Sequence, residues 1–140
     1  MMRRSLSFSP GFACMLLLVG CAGAQETSAL KEVQRAQAGN LDVVILSSTG
    51  ALKLGKDMFV LEFRSRADQK PVDVGTVKIS ASMVMAGMPP MIANTTVMPA
   101  GTPGRYDVTA EATMAGSWRL AVEWDGPAGR ESTNIQGQFQ

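Results

Sequence analysis

An all-β fold, an antiparallel sandwich of about seven strands, is predicted for residues 41–140 by two observations. From Leu41 onward the apolar residues recur with a period of two. Turn-forming residues then interrupt that pattern roughly every eight to twelve positions, the spacing of short strands in a sandwich or barrel.

The first run is Leu41 to Ser48. After Thr49-Gly50 and Gly55-Lys56-Asp57 comes the second, Met58 to Arg64, with Phe59, Leu61 and Phe63 on one face. The charged stretch Ser65 to Pro71 ends it. The third extends from about Thr76 to Met85, where Val77, Ile79, Ala81, Met83 and Met85 alternate with Lys78, Ser80 and Ser82. Gly87 and Pro89-Pro90 break it. Met91 to Met98 is the fourth, followed by the turn Pro99 to Gly104. In the fifth, Tyr106, Val108, Ala110 and Ala112 alternate with Arg105, Asp107, Thr109 and Glu111, as in a half-buried antiparallel strand. Ala115-Gly116-Ser117 turns into the sixth, where Trp118, Leu120, Val122 and Trp124 share a face. Gly126 to Gly129 turns again into a polar last strand, Arg130 to Phe139. Seven such strands in about 100 residues make the architecture immunoglobulin-like, without its inter-sheet disulfide. Tyr106 opens the fifth strand, not the sixth where a tyrosine corner belongs, and reads as a core residue whose hydroxyl needs a partner.

Residues 1–20 read as a leader. Met1-Met2-Arg3-Arg4 is a positive n-region, and Gly11 to Val19 an apolar h-region too short to span a bilayer. Leu18-Val19-Gly20-Cys21 resembles the bacterial lipoprotein signal, in which the Cys becomes the acylated first residue of the mature chain. The alternative is an ordinary secretory signal cleaved after Ala22 or Ala24. On the lipoprotein reading Cys14 is lost, Cys21 is consumed as a thioether, and no free thiol or disulfide remains. The resemblance implies an extracytoplasmic domain held on its membrane by the lipid anchor, with Ala22 directing it to the outer membrane, facing the periplasm, in a Gram-negative cell. Residues 21–40 form a tether. Its stretch from Gln25 to Asn40 is polar, with Leu30 and Val33 as its only large apolar residues, and the local pattern predicts a frayed helix ending at Gly39-Asn40. A spacer is the reading; a partner-binding amphipathic helix is the alternative, for which two apolar positions make a poor stripe.

Composition excludes whole classes of function. Lys and Arg number 13 against 12 Asp and Glu, with no His. Loss of Arg3 and Arg4 with the leader changes the net charge from +1 to −1, and no basic stripe is left to neutralise phosphates, so nucleic acid is no partner. Without His there is no Ser-His-Asp or Cys-His nucleophile, no His-ligated zinc and no blue-copper site. Asp42, Asp57, Asp73, Asp107, Glu111, Glu123, Asp125 and Glu131 are assigned to outward faces and loops as solvated carboxylates, which argues against an enzyme.

Three segments carry a family resemblance. Met85-Ala-Gly-Met88-Pro89-Pro90-Met91, Pro103-Gly104-Arg105-Tyr106 and Met114-Ala-Gly-Ser-Trp118-Arg-Leu-Ala-Val122 together resemble the YtkA-like domain family, relatives of the FixH proteins, over roughly residues 40–125. The resemblance implies a small extracytoplasmic β-sandwich, and some members accompany heavy-metal efflux and copper-handling systems, which are the partners it implies. Metal-associated relatives often place His beside the Met-rich turn; this chain departs from them there.

Ten methionines are the compositional anomaly. If successive strands reverse direction, the connections at 49–57, 86–90 and 113–117 share one pole, with Met58, Met85, Met88, Met91 and Met114 in or beside them, Met83 one pleat deeper and Trp118 at the same end. Met98 belongs to the other pole. Thioether donors suit Cu(I) or Ag(I), need no deprotonation and form no disulfide, while Zn(II) and Cu(II) prefer other ligands. The candidate ligands are therefore Met85, Met88, Met91 and Met114, with Met58 and Trp118 as support, the Trp face adding a cation–π contribution. Core packing is the competing reading for Met83, Met85 and Met114, which share or adjoin the apolar face. A Met/Pro docking surface, making the chain an interaction or assembly module of the cell envelope, is the third.

Overall fold

The computed structural model describes residues 29–127 and 129–140; the leader, Cys21 and the tether up to residue 28 lie outside the described residues. Eight strands follow one another: β1 (Lys31–Ala38), β2 (Leu41–Ser47), β3 (Gly55–Ser65), β4 (Thr76–Met83), β5 (Met91–Pro99), β6 (Arg105–Ala112), β7 (Gly116–Gly126) and β8 (Gly129–Phe139). Every ladder is antiparallel, in the order β1-β2-β3-β6-β5-β4-β7-β8.

One strand turns this single sheet into two layers. The first residues of β5 pair with β4, through Met83↔Met91 to Ala81↔Ala93, and from Asn94 onward it pairs with β6. The sheet folds over at that switch. It leaves β2-β3-β6-β5 facing β4-β7-β8, the four-plus-three partition of an immunoglobulin constant-type sandwich, with β1 added outside β2. The outer strands β1 and β8 approach each other without a ladder, so the sheet nearly closes into a barrel.

The core has the predicted face. Phe59, Leu61, Phe63, Val77, Ile79, Tyr106, Val108, Trp118, Leu120, Val122 and Trp124 are all buried, joined by Val43, Ile45, Leu52, Val74, Ile135 and Phe139. Phe63 meets Tyr106 and Trp124 edge-on, with ring centroids 5.6 and 5.1 Å away. Such T-shaped pairs add to the area they bury.

Two expectations are corrected. The helix predicted over Gln25–Asn40 is absent from its described part, because Lys31–Ala38 is a strand. Pairing with β2 supplies what isolated helix propensity cannot, a partner ladder and a core contact for Val33, Ala36 and Ala38. A bulge between Glu32 and Gln34 resets the alternation, so that Val33 and Ala36, three positions apart, both reach the core. The second correction concerns Asp42, which is 4% exposed and not solvated. Its Oδ2 accepts hydrogen bonds from Arg35 Nη1 at 2.9 Å and Gln69 Nε2 at 3.0 Å.

Candidate functional site

Antiparallel reversal brings the β2–β3, β4–β5 and β6–β7 connections to one pole. Gln140 joins that end to the β2–β3 connection: Leu54 N donates to Gln140 O at 3.0 Å, and Gln140 N to Leu52 O at 3.1 Å. β1 begins there too, with Lys31 opposite Ser47.

The methionines divide by side-chain face. Met85, Met88 and Met91 occupy a single hairpin connection, tightened by Met88 N donating to Met85 O at 3.2 Å and stiffened by Pro89-Pro90. Met85 and Met91 are half-buried against the core edge, whereas Met88 is 54% exposed. Met83, opposite Met91, is buried and belongs to the core. Met114, 41% exposed, stands in the neighbouring β6–β7 turn. Met58 does not join them. It lies on β3 with the parity opposite to the buried Phe59, so its side chain stands outward on the flank, 67% exposed, in a shallow hollow with Leu30 and Leu46. Met98, also exposed, is at the far end of β5.

The β6–β7 turn is held from beneath. Trp118 is wholly buried, and its indole Nε1 donates to Met114 O at 2.9 Å. Gly116, at φ +138°, lets the end of β4 come close, since a Cβ there would stand 2.8 Å from Met83 Cε. Trp118 thus positions Met114 through its backbone, and its ring is committed to the core beside Phe139.

Pro103-Gly104-Arg105-Tyr106 performs a comparable task at the other pole. A Cβ on Gly104 would fall 2.7 Å from Val72 O, and its φ of +81° is one that other residues rarely adopt. Gly104 O accepts from Phe63 N at 2.9 Å, and the Tyr106 hydroxyl donates to Gly75 O at 2.8 Å. Burial, with Asp73 nearby, pushes the Tyr106 phenol above its ordinary pKa. Both glycine–aromatic segments therefore serve the fold, and the exposed donor atoms at the methionine pole belong to the Met85–Met91 segment and to Met114.

A buried charge cluster, which sequence reasoning missed, lies on the outer face of β2, β3 and β6. Glu62 is 1% exposed, with its two carboxylate oxygens bound by Arg64 Nε and Arg105 Nε. Arg35 bridges Glu32 and Asp42, and the Arg35 hydrogen bond holds the Glu32 carboxyl below its ordinary range. Among the described residues Asp42 Oδ1 has no hydrogen-bond partner; Arg66 Nε is 3.9 Å away. Among the described residues no three of His, Cys, Asp or Glu converge as metal ligands. The thioethers stand apart from this cluster, which reads as structural.

Neither the curated proteins nor the solved structures compared with this chain contain a match. The family model described as YtkA-like does match, over residues 35–123, a span that runs from β1 into β7 and takes in the methionine hairpin and both glycine–aromatic segments; the chain belongs to the YtkA-like family.

Proposed function

We propose that this chain is a membrane-anchored extracytoplasmic domain that binds Cu(I) or Ag(I) at its methionine pole, as an accessory to metal transport or efflux. The observation that carries the reading is the hairpin bearing Met85, Met88 and Met91, next to the turn bearing Met114, with no imidazole in the chain to compete. Neutral sulfur donors favour a soft monovalent ion over harder divalent ones, and they stay available at low pH because nothing must be deprotonated. Pro89-Pro90 and the Trp118–Met114 hydrogen bond limit how far the donors must be reorganised on binding. No residue is given a catalytic role.

A second reading has its own support. Val84 and Ile92 stand exposed beside the same hairpin and offer no donor atom, as a protein-docking surface would. Metal selectivity separates the two. The purified protein is titrated anaerobically with Cu(I) against a competing chelator, then with Zn(II) and Cu(II). One tightly held Cu(I) per chain with weak retention of the divalent ions supports the metal site. No retention of Cu(I) transfers the reading to the interaction module.

A further inference from the structure

The methionine pole differs from its opposite in polarity. Its three connections each expose an apolar side chain, Leu54 in the first, Val84 and Met88 in the second and Met114 in the third, and none of residues 48–54, 84–90 or 113–115 is acidic. Lys31, Lys53 and Lys56 surround the first of them. Of the nearby carboxylates, Asp57 Oδ2 accepts from Lys53 N at 2.8 Å and Glu32 is paired with Arg35, while Glu111 lies on β6 in register with Lys56, away from the tips. The far pole carries charges of both signs in the β3–β4 connection, Asp68 and Asp73 with Arg66 and Lys70, where the tips of the methionine pole are apolar. Apolar tips with a basic surround match the acyl boundary and headgroups of an anionic bilayer.

We propose that this pole docks on the anionic bilayer surface to which the chain is anchored, an inference that rests on acylation of Cys21. Chain geometry favours this pole over the other. Residues 21 to 30 span at most about 33–36 Å, and only when fully extended, and β1 enters the domain at the methionine pole, with Lys31 opposite Ser47 and its side chain against Gly50. The eleven residues of β3 extend about 35 Å from one pole to the other. An anchor of that reach lets Leu54, Val84 and Met114 meet the headgroups with the chain slack, whereas bringing the far pole down to them requires the segment to be almost fully extended, at a cost in chain entropy. The thioether hairpin then faces components of that membrane, which is where a donor or acceptor of metal would meet it.

The test uses the full-length protein reconstituted in phosphatidylglycerol-containing vesicles, with an environment-sensitive fluorophore on Val84→Cys or, at the far pole, on Thr102→Cys. Lipids brominated along the acyl chain serve as quenchers, and flotation reports anchoring. Interfacial side chains sit ~5–10 Å into the acyl boundary, so the expected result is quenching at position 84 about twofold or more above that at 102. Quenching at 84 should weaken in Lys53→Ala/Lys56→Ala or in phosphatidylcholine alone. Protein that floats with an unquenched label at 84 overturns the docking inference and leaves the anchor reading standing. Protein that fails to float overturns both. Energy transfer between differently labelled Val84→Cys copies, without quenching, assigns the pole to a second copy of the chain and also overturns the inference.

Discussion

Met83 packs its terminal methyl against Gly116 so closely that a Cβ on the glycine would stand 2.8 Å from Met83 Cε. This contact joins the end of β4 to the start of β7 directly beneath the turn that carries Met114. It makes Met83 a structural methionine and leaves the other four at that pole nearer the surface.

Gly116→Ala should therefore destabilise the domain by about 1–3 kcal/mol, chiefly through backbone strain at φ +138°, with the flexible end of Met83 shifting at smaller cost. Gly87→Ala is the comparison, since Gly87 has φ +76° with open space around it and should lose only about 1 kcal/mol. Urea denaturation of both variants measures the difference. Equal losses would mean that neither the φ of +138° nor the Met83 contact sets Gly116 apart from Gly87.

The Glu62 pair should behave non-additively. Arg64→Ala or Arg105→Ala alone leaves Glu62 one cationic partner, but the double substitution leaves a carboxylate buried and uncompensated. Each single change should lower stability by ~1–2 kcal/mol, and the double by at least ~1 kcal/mol more than their sum. A double-mutant cycle read by denaturation checks this; strict additivity would place Glu62 in contact with water.

Arg35 should matter more than the glutamate it holds. Arg35→Ala removes a partner of the buried Asp42 and should weaken the domain by about 2–3 kcal/mol, whereas Glu32→Gln removes one surface pair worth under ~1 kcal/mol. Because Arg35 depresses the Glu32 carboxyl, that small contribution is present above the ordinary carboxylate pKa and disappears as pH falls through the folded value. Denaturation curves of wild type and Glu32→Gln should thus converge on acidification. Curves that diverge toward acid would reverse the sign assigned to the pair.

The contrast between β7 and β1 shows what alternation reveals. Trp118, Leu120, Val122 and Trp124 keep strict parity through a half-buried strand, so their inward face is readable from residue type alone. In β1 the bulge after Glu32 breaks parity between Val33 and Ala36, and a polar edge strand then resembles a polar helix. Asp42 and Glu62 were illegible for another reason. Both stand at outward positions, and what encloses them arrives from elsewhere in the chain, Arg35 and Gln69 for one and Arg105 for the other. Met58 marks the limit of grouping residues by loop: it is close to the β2–β3 connection in sequence, yet pleating turns its side chain away from the pole.

The position of the thioethers, not their number, is the central claim, and Cu(I) affinity under chelator competition tests it most directly. Wild type is compared with Met88→Leu/Met91→Leu and with Met58→Leu/Met98→Leu, two pairs that remove the same number of sulfurs and keep apolar volume. The account predicts a tenfold or greater loss of affinity, about 1.4 kcal/mol, in the first pair and wild-type affinity in the second. Equal affinity in all three proteins, or an equal loss in both variants, would contradict a site at the hairpin pole.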